Sequence, residues 1–120
     1  MSDSEAIRNL VASYSLEADA RNVAAWVSLF AEDGVLILND EEQAQGPVAL
    51  HDWFAGREMP PAFHMIANLR IDVDGGDARG IANFIAVGPD RLIGARGIYH
   101  ARFVRRAGDW KISEWRIEVA

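Results

Sequence analysis

From Pro60 onward the chain has room for long strands and little else. In PPAFHMIANLRIDV two prolines stop whatever precedes, and the side chains then alternate with period two. Phe63, Met65, Ala67, Leu69, Ile71 and Val73 fall on one face; His64, Ile66, Asn68, Arg70 and Asp72 fall on the other. The first set reads as an apolar wall. The second opens with an imidazole and grows more polar, so this strand is expected both to build a core and to line a pocket. Asp74-Gly75-Gly76-Asp77 is a hairpin signal, Gly88-Pro89-Asp90 turns again, and Arg106-Ala107-Gly108-Asp109 makes a further turn. Between these turns, Ala78 to Val87, Arg91 to Val104 and Trp110 to Val119 read as strands. Consecutive strands joined by tight turns form an antiparallel meander.

The first half is helical. Ser2 followed by Glu5 is a capping box, and Ile7, Leu10, Val11, Tyr14 and Ala18 recur at helical spacing behind it. The pattern breaks at Asp19-Ala20-Arg21-Asn22, where Asn22 can cap a shorter helix that buries Val23, Trp26, Val27 and Phe30. Glu32-Asp33-Gly34 reads as a turn, Val35 to Leu38 as a short strand, and Asn39 to Gln45 as a polar loop. Gly46-Pro47 opens a third helix carrying Val48, Leu50, Trp53 and Phe54, and Gly56 ends it. The expected fold class is α+β: three N-terminal helices packed on a cone-shaped, curved antiparallel sheet, enclosing a pocket. Residues 1–120 read as one domain.

Composition removes several function classes. A formal charge of −6, with Arg8, Arg70, Arg105 and Arg106 scattered among acids, lacks the basic footprint of a nucleic-acid binder. The absence of cysteine excludes disulfides, thiolate nucleophiles and cysteine-held metals. No histidine pair has a compact metal-ligand spacing, so neither metal nor cofactor is expected. No apolar run approaches the roughly 20 residues that span a bilayer, and MSDSEAIRN is too polar for a signal peptide. A cytoplasmic protein without membrane partners is expected.

Several local patterns coincide. They are L-x3-Y-x4-D-x-R-N in the first helix and W-x3-F-A-E-D-G leading into the first strand. Further on come Gly46-Pro47, His64 with Asn68, Gly97-x-Tyr99 and Gly108-Asp109-Trp110-Lys111-Ile112. Together they resemble the SnoaL-like branch of the nuclear-transport-factor-2-like superfamily over nearly the whole chain. The resemblance implies a cone of curved sheet closed by helices, on which dehydratases, isomerases, cyclases, epoxide hydrolases and non-catalytic subunits are all built. The mechanistic likeness is to scytalone and bile-acid dehydratases, which pair a helix tyrosine and a nearby aspartate with a histidine early in the long strand. Tyr14, Asp19 and His64 fit those positions. Eliminating water beside a carbonyl needs a base for the carbon-bound proton and an acid for the leaving hydroxyl, which a carboxylate-oriented histidine and a buried phenol can supply.

The chain also departs from its relatives. Scytalone dehydratase has a second histidine where this chain offers Asn83. The ketosteroid isomerase base would fall at Leu38 and its second aspartate near Tyr99, which disfavours that mechanism unless Asp40 substitutes. The aspartate pair bridged by an arginine in limonene epoxide hydrolase has no clear match.

Each candidate has a plainer reading. His64 can be a strand histidine satisfied by a carbonyl, and Tyr14 a core tyrosine. Asp19 lies about 140° around the helix from Tyr14 and shares its face only if the helix ends there. Tyr99 and His100 alternate, so only one faces inward. His51 reads as surface or rim. Candidate substrate-lining residues are Trp26, Phe30, Trp53, Phe54, Asn83, Tyr99 and Arg116. The leading expectation is a cofactor-independent dehydratase or isomerase acting on a small cyclic or polycyclic hydrophobic molecule, with catalytic His64, Tyr14 and Asp19. Its rival is a non-catalytic ligand-binding or subunit domain. Apolar residues on both faces of the third long strand point to a homodimer, with a trimer as the alternative by analogy with the dehydratases.

Overall fold

The computed structural model describes residues 1–58 and 61–120. Pro60, at the head of the expected first long strand, lies outside the described residues. Helix α1 spans Asp3–Asp19 and is capped as its sequence requires, the Glu5 backbone N–H donating to Ser2 Oγ at 3.1 Å. Helix α2 (Val23–Ser28) is capped by Asn22, whose Oδ1 accepts from the Ala25 N–H at 3.4 Å. Helix α3 spans Pro47–Ala55, with proline in its first turn.

The strands are β1 (Phe30–Leu38), β2 (Glu41–Gln45), β3 (Phe63–Asp74), β4 (Asp77–Val87), β5 (Ile93–Arg106) and β6 (Asp109–Val119). They form one curved sheet in the order β2-β1-β6-β5-β4-β3. Only the β1–β6 pairing is parallel; the meander β3 to β6 is antiparallel throughout. This is the α+β architecture expected from the sequence, with three local corrections.

The segment from Asn39 to Gln45 is not a loop. Asn39 and Asp40 both take left-handed conformations (φ 47° and 67°) and form a two-residue turn, after which β2 pairs back on β1 from Leu38–Glu41. Its acidic sequence suits a solvated edge strand. Glu32-Asp33-Gly34 is likewise no free turn but an irregular stretch within β1, where the pairing with β6 jumps from Phe30–Ile112 to Val35–Glu114. A side chain at Gly34 would lie 2.9 Å from the carbonyl oxygens of Ala31 and Ile112, so only glycine fits this crossing.

The helices cover one face of the sheet. Ile7, Val11 and Tyr14 of α1 join Leu36, Phe103, Ile112 and Trp115 in the core. Tyr14 stacks on Trp115 with centroids 3.9 Å apart. Trp26 of α2 is sandwiched between Phe54 of α3 (4.8 Å) and Phe30 (4.9 Å), which ties the two short helices to the start of β1.

Strand β3 does not present one uninterrupted apolar wall. Phe63 is 72% exposed and Met65 56% exposed, whereas His64 and Ile66 turn toward the helices. After Asn68 the phase reverses, and Leu69 and Ile71 point inward. The cause is a β-bulge: Ala67 pairs with Asn83 and Arg70 with Ile81, so two residues of β3 oppose one of β4, and Asn68 takes φ 58°.

Candidate active site

A cavity of about 480 Å3 lies between the inner face of β3–β6, the C-terminal end of α1, and helices α2 and α3. Its lining is predominantly apolar, and its volume suits a small cyclic guest. The buried end is formed by Tyr14, Trp26, Phe54, Phe84 and Tyr99; the exposed residues Arg21, Arg57 and Pro61 mark the mouth.

His64 and Asp19 meet in this cavity. The His64 Nδ1 atom lies 2.6 Å from Asp19 Oδ1, and the His64 backbone N–H donates to Asp19 Oδ2 at 3.0 Å. One carboxylate thus grips both the ring and the main chain of β3. Asp19 is the last residue of α1, so its side chain is free to swing across the helix end and reach the face that carries Tyr14. With Nδ1–H donated to the carboxylate, Nε2 keeps its lone pair and has no partner among the described residues. The side chains of His64 and Asp19 are 20% and 15% exposed, so the pair is sheltered but reachable.

Two phenols approach from the floor. Tyr14 and Tyr99 are edge-to-face at 5.8 Å, and neither hydroxyl has a hydrogen-bond partner among the described residues. Burial holds the Tyr14 phenol well above the ordinary tyrosine range, with Tyr99 adding to the shift. Tyr99 is raised too, by burial first and then by the charge of Asp19. Both are therefore neutral hydrogen-bond donors at any ordinary pH. Phe84 stacks flat on Tyr99 at 4.2 Å and 5°. Gly97 makes this possible: a Cβ there would sit 2.8 Å from the Phe84 ring and collide with the Glu118 carbonyl.

The structure brings Tyr14, Asp19, His64, Trp26, Trp53, Phe54 and Tyr99 to one cavity. Three other expected lining residues lie elsewhere. Phe30 is buried behind Trp26 and does not reach the cavity. Asn83 stands on the outer face of β4, bonded to Asn68 at 2.8 Å. Arg116 is also on the outer face, paired with Asp40 at 2.7 Å. Asp40 thus does not replace the isomerase base, and Leu38 itself lines the cavity. The Tyr99–His100 alternation resolves with Tyr99 inward and His100 outward, 3.6 Å from Glu118. His51 is exposed beside Asp52 at 3.3 Å.

Sequence reasoning missed Arg21, Arg57, Phe84, Ala86, Ala95, Ile117 and Val119 as lining residues. For the strand residues the signal was present: Phe84 and Ala86 share a face with Ala95 and Gly97 across the β4–β5 ladder. Arg21 entered only as part of the D-x-R-N pattern and for Arg57 there was no signal, because the helix ends that meet at the mouth are distant in sequence. A larger depression of about 730 Å3 on the outer face, where Arg70, Arg79, Arg102, Glu114 and Glu118 crowd, is open and highly charged. Among the described residues no group of three or more histidines and acids could hold a metal ion.

The fold recurs in solved structures. A Mycobacterium tuberculosis protein of unknown function superposes with TM-score 0.89 at 24% identity, covering 98% of this chain and 72% of that one. A candidate scytalone dehydratase from Novosphingobium aromaticivorans gives 0.85 at 22% identity, covering 98% and 84%. A hexachlorocyclohexane dehydrochlorinase from Novosphingobium barchaimii gives 0.84 at 20% identity, covering 97% and 85%. Among curated proteins none matches the sequence. The SnoaL-like domain matches residues 1–116, nearly the full length, and the chain belongs to that family.

Proposed function

We propose that this protein is a cofactor-independent lyase or isomerase that moves a carbon-bound proton of a small, largely apolar cyclic substrate. The observation that carries the reading is the His64–Asp19 contact of 2.6 Å inside an apolar cavity. Such a pair fixes the imidazole tautomer and stabilises the imidazolium that forms on proton abstraction. In an elimination, Nε2 takes the proton from carbon, the C–H electron pair becomes the new double bond, and the bond to the leaving group breaks. A hydroxide leaving group then recovers that proton from the imidazolium and departs as water. Tyr14 and Tyr99, held protonated by burial, donate hydrogen bonds to oxygen as it gains negative charge. Solved structures of similar fold include a candidate scytalone dehydratase and a dehydrochlorinase, which are eliminating enzymes by name.

A carrier or subunit role needs none of this polar apparatus, and an apolar carrier cavity gains nothing from an ion-pairing dyad at its wall. The test is a thermal-shift screen of steroids, phenolic polyketide-like compounds and cyclic terpenoids, followed by product analysis on every hit. Wild type is expected to convert a stabilising compound, with His64→Ala slower by roughly 10²-fold to 10⁴-fold. Asp19→Asn should lose activity with little change in compound affinity. Binding without conversion by wild type across all hits would instead support the carrier role.

A further inference from the structure

The mouth of the cavity carries a charge that the proton-transfer chemistry does not use. Arg21 and Arg57 both line it, and both are exposed. Asp19 is the only acid among the described lining residues, and its carboxylate is taken by His64. Neither arginine makes a salt bridge among the described residues, although the chain carries a net charge of −6. The two are also neighbours. Arg21 donates through one nitrogen to the main-chain carbonyls of Phe54 at 3.3 Å and Arg57 at 2.9 Å.

Each guanidinium is held in place by an aromatic face. Arg21 lies 4.5 Å over Phe54, and Arg57 lies 4.5 Å over Trp53. A guanidinium seated against a ring face keeps N–H groups able to bind an anion, and Arg21 spends one nitrogen on the two carbonyls. The backbone at Arg21 adds a further sign. It follows α1 with φ 58° in a turn where the Asn22 N–H reaches back to the Glu17 carbonyl, a position that favours glycine. An arginine there accepts backbone strain in order to hold a side chain over α3. Arg21 is partly committed to closing the end of α3. The Arg57 guanidinium lies over the Trp53 ring and makes no hydrogen bond or ion pair among the described residues.

We infer that the substrate is amphiphilic, an apolar ring system that enters the cavity while an acidic group, a carboxylate, sulfonate or phosphate, stays at the mouth on Arg57 and Arg21. The inference rests on the cavity being the substrate site and adds to it the class of molecule. Such an anchor also orients the guest, because a ring system held at one end presents a defined carbon to His64.

A matched pair of fluorescent probes tests this without knowledge of the substrate: anilinonaphthalene sulfonate and its uncharged parent, phenylnaphthylamine. Both are titrated into wild type, Arg57→Gln, Arg57→Glu and Arg21→Lys. Wild type is expected to bind the sulfonate about tenfold more tightly than the neutral dye. Arg57→Gln should remove most of that preference and Arg57→Glu should invert it, while affinity for the neutral dye stays within about twofold. Added salt should weaken only the sulfonate. Arg21→Lys keeps the charge and part of the helix contact, so it should retain some preference. Equal affinity of wild type for the two dyes overturns the inference. So does binding of neither, or a preference that survives in Arg57→Glu. The experiment reads no turnover, so its failure leaves the acid–base reading standing, and a catalytically silent protein could still show the preference.

Discussion

Asp19 occupies a position that its own helix disfavours. It is the last residue of α1, where the helix dipole is negative and no basic side chain compensates. What holds it there is β3: the backbone N–H and the imidazole of His64 together offset that repulsion. The tyrosines beneath are also out of their ordinary range, and this has a measurable consequence. In the unfolded chain a tyrosine loses its proton near pH 10, whereas burial makes Tyr14 and Tyr99 keep theirs to higher pH. Above about pH 10 the folded state therefore holds protons that the unfolded state has released, and stability falls as pH rises. Each tyrosine contributes at most about 1.4 kcal/mol per pH unit to that fall. Thermal unfolding of wild type between about pH 8 and 12 should show a steep alkaline arm, clearly shallower in Tyr99→Phe. If a Tyr14→Phe/Tyr99→Phe double variant loses stability as steeply as wild type, burial of these phenols is not what limits the protein at high pH.

At the scale of elements, the sheet is shaped by a few residues that a regular strand would not need. Gly97 gives β5 a flat spot against which Phe84 lies, and that ring in turn sets the height of Tyr99 in the cavity floor. Gly97→Ala forces a methyl group against the Glu118 carbonyl and the Phe84 ring, so β6 and the stack must both shift. A loss of about 2–3 kcal/mol is expected, read as a lowered urea midpoint with unchanged slope. A variant within a few tenths of a kcal/mol of wild type would show that the strand absorbs the methyl freely. The same features explain what could be read from the sequence. Ser2 and Asn22 cap helices through contacts three residues away, so their role is written locally. The bulge at Asn68 is set by pairing with β4 and inverts the phase of β3, which is why alternation assigned Phe63 and Met65 to the core side. The Asn39-Asp40 turn was legible in principle, but a run of glutamates and glutamines disguised the edge strand behind it. Alternation put His64 on the pocket face and helical spacing put Tyr14 on the apolar stripe, but the catalytic roles of Tyr14, Asp19 and His64 were named through family resemblance. Arg57 depends on where the end of α3 comes to rest, which no local pattern encodes.

At the scale of the whole molecule, the chain exposes more surface than its mass requires. A compact monomer of 13.2 kDa should expose roughly 6,400 Å2, whereas this chain exposes 7188 Å2. The excess, roughly 800 Å2, is about one partner's share of a standard protein interface. Part of the exposed apolar surface is concentrated, although Leu16 and Val48 are exposed on the helices. Because His64 faces the cavity, Phe63 and Met65 face the opposite side of the sheet, and the ladder continues from Phe63 through Val87 to Ile93. Phe63, Met65, Leu92 and Ile93 are all more than half exposed, a contiguous greasy corner at the β3–β5 end of an otherwise charged face. Farther along the same outer face lie Arg79, Arg102 and Arg116 with Asp72, Glu114 and Glu118, charges of both signs that can pair with a second copy of themselves. The expected outcome is a homodimer joined through this outer face, with the cavities of both copies left open on the far side. Sedimentation equilibrium at micromolar concentration should give twice the chain mass for wild type and a single-chain mass for Phe63→Glu/Ile93→Lys. A threefold mass would replace the two-fold interface with a cyclic one, and a wild-type monomer at tens of micromolar would leave the apolar corner without a role in self-association.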